Sequence, residues 1–317
     1  MSIGVRVQSI LKKLLVAFVL LFVFAGFLSG SVYWWWFKAP YQVVADVEYG
    51  RRGDKPLIMD VYQPPSPNGA GVVLVVSGSW KSSESSVQPF LFAPFVRRGY
   101  TIFAVRHISQ PECLVGDIVD DMHRSVRFIR YHAATYGVDP NRIGVIGGSS
   151  GGHLSLMLGT RGGPGDQDAE DEIDRQSSEV QCVACFYPPT DLLNLGSSTE
   201  NLGDGGPPKS FRKSFGPRGE TIEQWKVLGR ELSPIYHITP RMPPTFIVHG
   251  DADTLVPLDQ SQRFADAVNE LNAKGDSRDS VAIKLDIRSG KGHGWPTMIL
   301  DIPRFADWFD QHLSTKN

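Results

Sequence analysis

A serine flanked by glycines at the end of an apolar run is the first place in this sequence where covalent chemistry could occur. Residues 143–146 are apolar, and Gly147-Gly148-Ser149-Ser150-Gly151-Gly152-His153 follows directly, leading into helix-forming residues. An apolar run that ends in Gly-x-Ser-x-Gly is the pattern of a nucleophile elbow, a tight strand-to-helix turn that lifts one serine above a parallel sheet. Glycines are needed because the turn is strained and the helix packs close behind it. The frame Gly147 to Gly151 makes Ser149 the nucleophile, and the frame Gly148 to Gly152 makes it Ser150. A plain glycine-serine loop or a phosphate-binding turn is the non-catalytic reading of the same residues.

A serine hydroxyl is too weak an acid to attack an ester unaided, so it needs a base and a group that holds the base in the right tautomer. Behind such an elbow the acid is expected after a later strand and the histidine after the last one. His249-Gly250-Asp251-Ala252-Asp253 ends the apolar run 245–248, and Gly292-His293-Gly294 follows the run 281–287. The order Ser149, Asp253, His293 meets this expectation, each residue standing at the carboxyl end of a strand, where α/β sites are built. Asp251 reads as a loop or supporting carboxylate, His153 as a packed residue in the first turn of the elbow helix, and His249 and His107 as strand-end and loop residues. The other histidines, His123, His132, His237 and His312, show no ligand spacing, so no metal and no cofactor is implied.

The elements that must position these residues alternate. Residues 43–49 and 56–62 read as an antiparallel hairpin, and 72–76 as a strand buried on both faces. Residues 90–98 read as helix and 100–105 as strand. The most regular helix covers 117–136, where Val119, Met122, Val126, Ile129 and Ala133 recur at steps of three and four. Strands at 143–146, 180–187, 245–248 and 281–287 and helices at 260–272 and 302–313 complete the series. This rhythm predicts an α/β protein with a mostly parallel central sheet and helices on both faces. It is interrupted by two irregular insertions, 161–179 and 191–238, the second rich in Gly, Pro and Ser with one helical patch at 222–232 and long enough to form a lid or a pocket wall. The acidic cluster from Asp166 to Asp174 lacks the spacing of a calcium loop and reads as a solvated surface.

The 317 residues can bury one large core, and 41% hydrophobic with 21% charged content is ordinary for a globular chain. Residues 1–40 hold four basic residues and no acid, so the remaining 28 basic residues face 34 acidic ones. Nothing in that balance suggests nucleic-acid binding, which would want a basic face. Three cysteines make no disulfide framework, and Cys182 and Cys185 lie in one strand, pointing to opposite faces. Residues 14–37 carry no charge, long enough to cross a ~30 Å hydrocarbon core as a helix. Their end, Tyr33-Trp34-Trp35-Trp36-Phe37, suggests an interfacial aromatic belt. Residues 1–37 are therefore expected to be a membrane anchor, or a signal segment cleaved near Ser29-Gly30-Ser31, with a catalytic domain over 38–317 outside the cytoplasm.

Taken together, Tyr136-Gly137-Val138-Asp139-Pro140-Asn141-Arg142-Ile143 leading into the elbow, His-Gly-Asp-Ala-Asp-Thr-Leu-Val-Pro at 249–257, and Gly-His-Gly at 292–294 resemble α/β-hydrolases of the bacterial carboxylesterase group. That group includes feruloyl and acetyl-xylan esterase-like enzymes and is related to the catalytic domain of prolyl oligopeptidase. The resemblance spans about residues 43–312 and implies an α/β-hydrolase fold. It assigns the elbow frame to Ser149, because the group writes Ser-Ala-Gly-Gly-His where this chain has Ser149-Ser150-Gly151-Gly152-His153. It likewise makes Asp253 the acid and His293 the base. One motif departs from the group: after the third strand, where His-Gly-Gly-Gly or a close variant supplies oxyanion-binding amides, this chain has Val76-Ser77-Gly78-Ser79-Trp80. The expected donors are the N–H groups of Ser150 and Ser79, and loss of one such donor costs about 3–4 kcal/mol of transition-state stabilisation.

The function implied is hydrolysis of a small-molecule or saccharide carboxylic ester through an acyl-enzyme. A serine peptidase like the oligopeptidase relatives, and a catalytically silent hydrolase-fold binding module, are the alternatives. Acyl and alcohol specificity and oligomeric state leave no mark on the sequence.

Overall fold

The computed structural model describes residues 3–275 and 280–314. Eight strands form one sheet: β1 Gln42–Arg52, β2 Lys55–Gln63, β3 Gly71–Val75, β4 Thr101–Val105, β5 Ile143–Gly148, β6 Cys182–Phe186, β7 Thr245–Gly250 and β8 Ile283–Arg288. Their order is β1-β2-β4-β3-β5-β6-β7-β8. The β1–β2 and β2–β4 pairs are antiparallel and all later pairs parallel. Among the described residues seven α-helices accompany the sheet: α1 Ile3–Phe37, α2 Ala93–Arg97, α3 Val115–Tyr131, α4 Ser150–Arg161, α5 Ile222–Glu231, α6 Asp259–Lys274 and α7 Ile302–Leu313. The mostly parallel sheet covered on both faces is the expected α/β-hydrolase arrangement.

The central strands are apolar throughout because each side chain meets a core. Phe103 and Val105 of β4 join the core packed by α3, α4 and α6, whereas Ile102 and Ala104 join the one packed by α2 and α7. Full burial of each Val, Ile or Phe contributes about 1.5–3 kcal/mol. Cys182 and Cys185, three apart on β6, are both buried with free thiols and belong to opposite cores, as their spacing predicts.

Three expectations of local structure are modified. The helix expected over 117–136 ends at Tyr131, and the chain tightens into a 3-10 turn, Ala133–Tyr136, closed by Gly137 at φ 65°. Such tightening satisfies carbonyls that the last helical turn leaves unpaired. The helix expected over 90–98 is split into a 3-10 turn, Pro89–Leu91, and the short α2, because Pro94 cannot continue a helix from before it. Residues 191–238 are more ordered than their composition suggests: they hold α5 and 3-10 turns at Lys209–Phe215, Pro217–Gly219 and Pro234–His237. Residues 161–179 lie on the surface, where Arg124 of α3 binds Asp171 and Asp174 at 2.6 and 2.9 Å.

Within α1, residues Ile10–Tyr33 are long and apolar enough to cross a membrane, with mean hydropathy 2.5, and their side chains are exposed. The side chains of Trp34 to Phe37 lie outside the described residues, so the expected aromatic belt is not characterised beyond Tyr33.

Candidate active site

Ser149 occupies the turn between β5 and α4, with φ 55° and ψ −123°, a backbone conformation that costs of order 1–3 kcal/mol. Its surroundings enforce it. The Ser149 N–H donates to the Phe186 carbonyl at 3.0 Å. A Cβ on Gly147 would collide with the Gly151 carbonyl, and one on Gly151 would lie 2.9 Å from the Val75 carbonyl. Ser150 is instead the first residue of α4 and is buried, so of the two elbow frames only the first leaves its serine at the turn.

The His293 ring faces Ser149. Its Nδ1 lies 2.7 Å from Asp253 Oδ2, and its Nε2 lies 2.9 Å from Ser149 Oγ. With Nδ1–H donating to the carboxylate, Nε2 has a lone pair for the serine hydroxyl; this tautomer is assigned from the network. The ring packs on Tyr187, centroids 4.5 Å apart. The loop after β8 that carries His293 is tied to the loop after β7 that carries Asp253. Ala252 N–H donates to the Lys291 carbonyl at 2.9 Å, and Gly290 N–H donates to Asp251 Oδ1 at 2.6 Å. Asp251, which the sequence left as a loop or supporting carboxylate, thus ties the two loops together.

Asp253 is buried, and its Oδ1 accepts from the Leu255 and Val256 N–H groups, both at 3.0 Å. Burial pushes its pKa up, but hydrogen bonds from His249, His293 and the backbone outweigh this and hold it well below the usual carboxylate range. His249, fully buried, lies 3.5 Å from Asp253 Oδ2 and makes its short bonds to Ser261 Oγ at 2.7 Å and the Val256 carbonyl at 2.8 Å. It braces the acid loop.

The loop that replaces His-Gly-Gly-Gly is held by a second network. Ser79 and Trp80 both have positive φ, 55° and 52°, where non-glycine residues are uncommon. Gly78 N–H donates to the Lys81 carbonyl and Trp80 N–H to Ser150 Oγ, each at 2.9 Å. Among the described residues the Ser79 N–H carries no internal bond. Ser150 Oγ lies 3.1 Å from Ser77 Oγ, which lies 2.9 Å from His107 Nε2, while His107 Nδ1 meets the Ile108 carbonyl at 2.9 Å. Because Nδ1 must donate to that carbonyl, Nε2 accepts from Ser77, and burial favours this neutral ring by lowering the His107 pKa. The Trp80 indole donates to His153 Nδ1 at 3.3 Å, and His153 Nε2 donates to the Leu232 carbonyl at 2.7 Å. The indole also packs edge-on against Phe211 and Phe215 of the long insertion. Sequence reasoning marked Ser77 to Trp80 only as a departure from the His-Gly-Gly-Gly motif, gave no role to the side chains of Ser77 and Trp80, and left His107 as a loop residue.

Two apolar clefts meet at Ser149. One, about 510 Å³, runs between Trp80, Leu192, Leu195, Phe211 and Val256. The other, about 1240 Å³, runs past His293 between Leu91, Met298, Ile302 and Phe305. The N–H of Ser150, at the start of α4, has no helical partner to its N-terminal side and borders the first cleft with that of Ser79.

A family model, BD-FAE, matches residues 59–268, more than half of the chain. The chain belongs to the BD-FAE family. Esterase LipQ of Mycobacterium tuberculosis is 28% identical over 234 residues, 72% of this chain and 53% of that protein. Isoprenylcysteine alpha-carbonyl methylesterase ICME of Arabidopsis thaliana is 24% identical over 297 residues, 92% of this chain and 65% of that protein. The chain thus spans between about half and two thirds of the length of these curated relatives. Among solved structures, the butyrate-bound thermophilic esterase of Thermogutta terrifontis superposes with a TM-score of 0.61 at 26% identity, over 87% of this chain and 94% of that one. The acetyl ester-xyloside bifunctional hydrolase of Caldicellulosiruptor lactoaceticus gives 0.68 at 22%, over 84% and 96%, and speaks for the fold. The resemblance to α/β-hydrolase carboxylesterases is borne out by family, relatives and fold. The kinship to prolyl oligopeptidase rests on the sequence motifs alone.

Proposed function

We propose that this chain hydrolyses carboxylic esters through an acyl-enzyme on Ser149. The observation that carries the reading is the unbroken line from Ser149 Oγ to His293 Nε2 at 2.9 Å and from His293 Nδ1 to Asp253 Oδ2 at 2.7 Å, set where two apolar clefts meet. Ser149 attacks the acyl carbon as His293 takes its proton, and ionised Asp253 stabilises the imidazolium. The oxyanion forms against the N–H groups of Ser150 and Ser79, which need no reorganisation to receive it. His293 then protonates the leaving alcohol, and a water molecule repeats the sequence to release the acid. Esterase names among the relatives and an esterase among the solved structures support an ester over a peptide substrate.

Ser149→Ala is expected to lower hydrolysis of p-nitrophenyl esters by at least about 10³-fold and to abolish labelling by a fluorophosphonate probe. Labelling that survives moves the nucleophile, with Ser150 first in line. Turnover of aminoacyl anilides in preference to esters would replace the esterase reading by a peptidase.

Residues 14–37 are read as an uncleaved anchor and 38–317 as the catalytic unit outside the cytoplasm. Support comes from the continuous, exposed and apolar helix of Ile10–Tyr33. A cleaved signal segment is the competing reading, and alkaline extraction that frees the protein from membranes would favour it.

A further inference from the structure

We propose that the larger cleft receives the hydrocarbon part of an ester dissolved in the lipid bilayer, and that α1 fixes the mouth of this cleft at the membrane surface. The proposal rests on the esterase reading and on Ile10–Tyr33 crossing the bilayer.

The first observation is the absence of slack between anchor and core. α1 ends at Phe37, Ala39 is already buried, and the Tyr41 ring packs on Tyr62 and Phe92 with centroids 5.1 and 6.3 Å apart. One intervening residue, Lys38, spans only about 3.5 Å, so the domain is held against the membrane surface rather than tethered at a distance. The second is where the anchor lands. The backbone of α1 passes close to that of the turn Pro89–Leu91 and of α2. Leu91 is a wall of the larger cleft, and the adjacent Phe92 receives Tyr41. The helix that leaves the bilayer and the wall of the cleft are therefore neighbours.

The third observation is the chemistry of the cleft. Leu74, Leu91, Met298, Ile302 and Phe305 line it, and its volume is about 1240 Å³ against about 510 Å³ for the cleft on the other side of Ser149. Leu300, in the turn between the wall residues Met298 and Ile302, is an apolar side chain 58% exposed to its surroundings. Each CH₂ added favours transfer of hydrocarbon out of water, so a long-chain ester resides in the bilayer. A site held at that surface meets it at a high effective concentration.

The test uses the full chain in phosphatidylcholine vesicles and two substrates, vesicle-borne 4-methylumbelliferyl palmitate and dissolved p-nitrophenyl acetate. Insertion of about 15 Gly/Ser residues between Phe37 and Lys38 is expected to lower palmitate turnover at least about five-fold and leave acetate turnover unchanged. Leu300→Glu, at an exposed position, is expected to lower palmitate turnover about three-fold, again without effect on acetate. Equal palmitate turnover by the wild type and the insertion variant overturns the proposal, as does a wild type that cleaves acetate and not palmitate. A wild type that cleaves neither overturns the esterase reading on which the proposal stands.

Discussion

Ser150 follows Ser149 and opens α4. Its hydroxyl receives the Trp80 N–H and meets Ser77, so the strained pair Ser79-Trp80 is fixed to the same helix start that carries Ser149. In place of the glycines of a His-Gly-Gly-Gly motif, this chain has a hydroxyl relay that ends on the neutral His107. Ser77→Ala removes the link between Ser150 and His107, and it leaves a buried imidazole nitrogen without its donor. Because a misplaced loop amide weakens binding of the oxyanion and leaves ground-state binding alone, kcat is expected to fall about ten-fold with KM changed less than about two-fold. Steady-state kinetics on p-nitrophenyl butyrate read this directly, and an unchanged kcat removes the relay from the positioning of the loop. Ser149, Asp253 and His293 were legible in the sequence, since each stands in a short motif after its own apolar run. The relay was not, because its members are 73 and 30 residues apart and meet only where the ends of β3, β4 and β5 converge.

At the scale of elements, the strands were the most legible part, for a strand buried on two faces has no polar position to blur its limits. The helix ends were less so, since proline position and 3-10 tightening decided them. The long insertion was the least legible. Its order comes from partners elsewhere in the chain, chiefly Gln260 and Arg263 of α6. The Gln260 side-chain oxygen accepts from the Thr190 and Asp191 N–H groups, both at 2.8 Å, and its nitrogen donates to the Asn194 carbonyl at 2.7 Å. Arg263 adds an ion pair to Asp191 at 2.6 Å. Gln260→Leu keeps the volume and leaves two buried amides unpaired, an expected loss of roughly 3 kcal/mol. A lowered urea midpoint with unchanged slope checks this. A midpoint at the wild-type value would mean that other contacts, such as Phe211 and Phe215 on Trp80, suffice to hold the insertion.

At the scale of the whole molecule, several histidines are held neutral by burial, and His123 and His153 are shifted furthest. Burial lowers the pKa of His123 to about 3 and that of His153 to about 4. An unfolded chain protonates both near pH 6.5, so between there and the folded values the unfolded state binds more protons. Stability is therefore full above about pH 6.5 and falls on acidification, by roughly 2 kcal/mol per histidine at pH 5. The depressed Asp253 acts lower: its contribution is present above the ordinary carboxylate range and is lost only below about pH 4. Thermal unfolding of the full chain in detergent is expected to show a lower Tm at pH 5 than at pH 7, and His123→Gln a smaller decrease. Equal decreases in both proteins would mean that His123 titrates alike folded and unfolded. Trp80 carries a different consequence at this scale. Its amide is bound by the elbow and its ring packs edge-on against Phe211 and Phe215, so the short loop takes its shape from residues 131 and 135 positions further along the chain. In recombination with a glycine-loop relative, the loop and the insertion cross over usefully only as a pair, and a chimera that inherits one of them has a tryptophan with nowhere to go or a hollow with nothing to fill it.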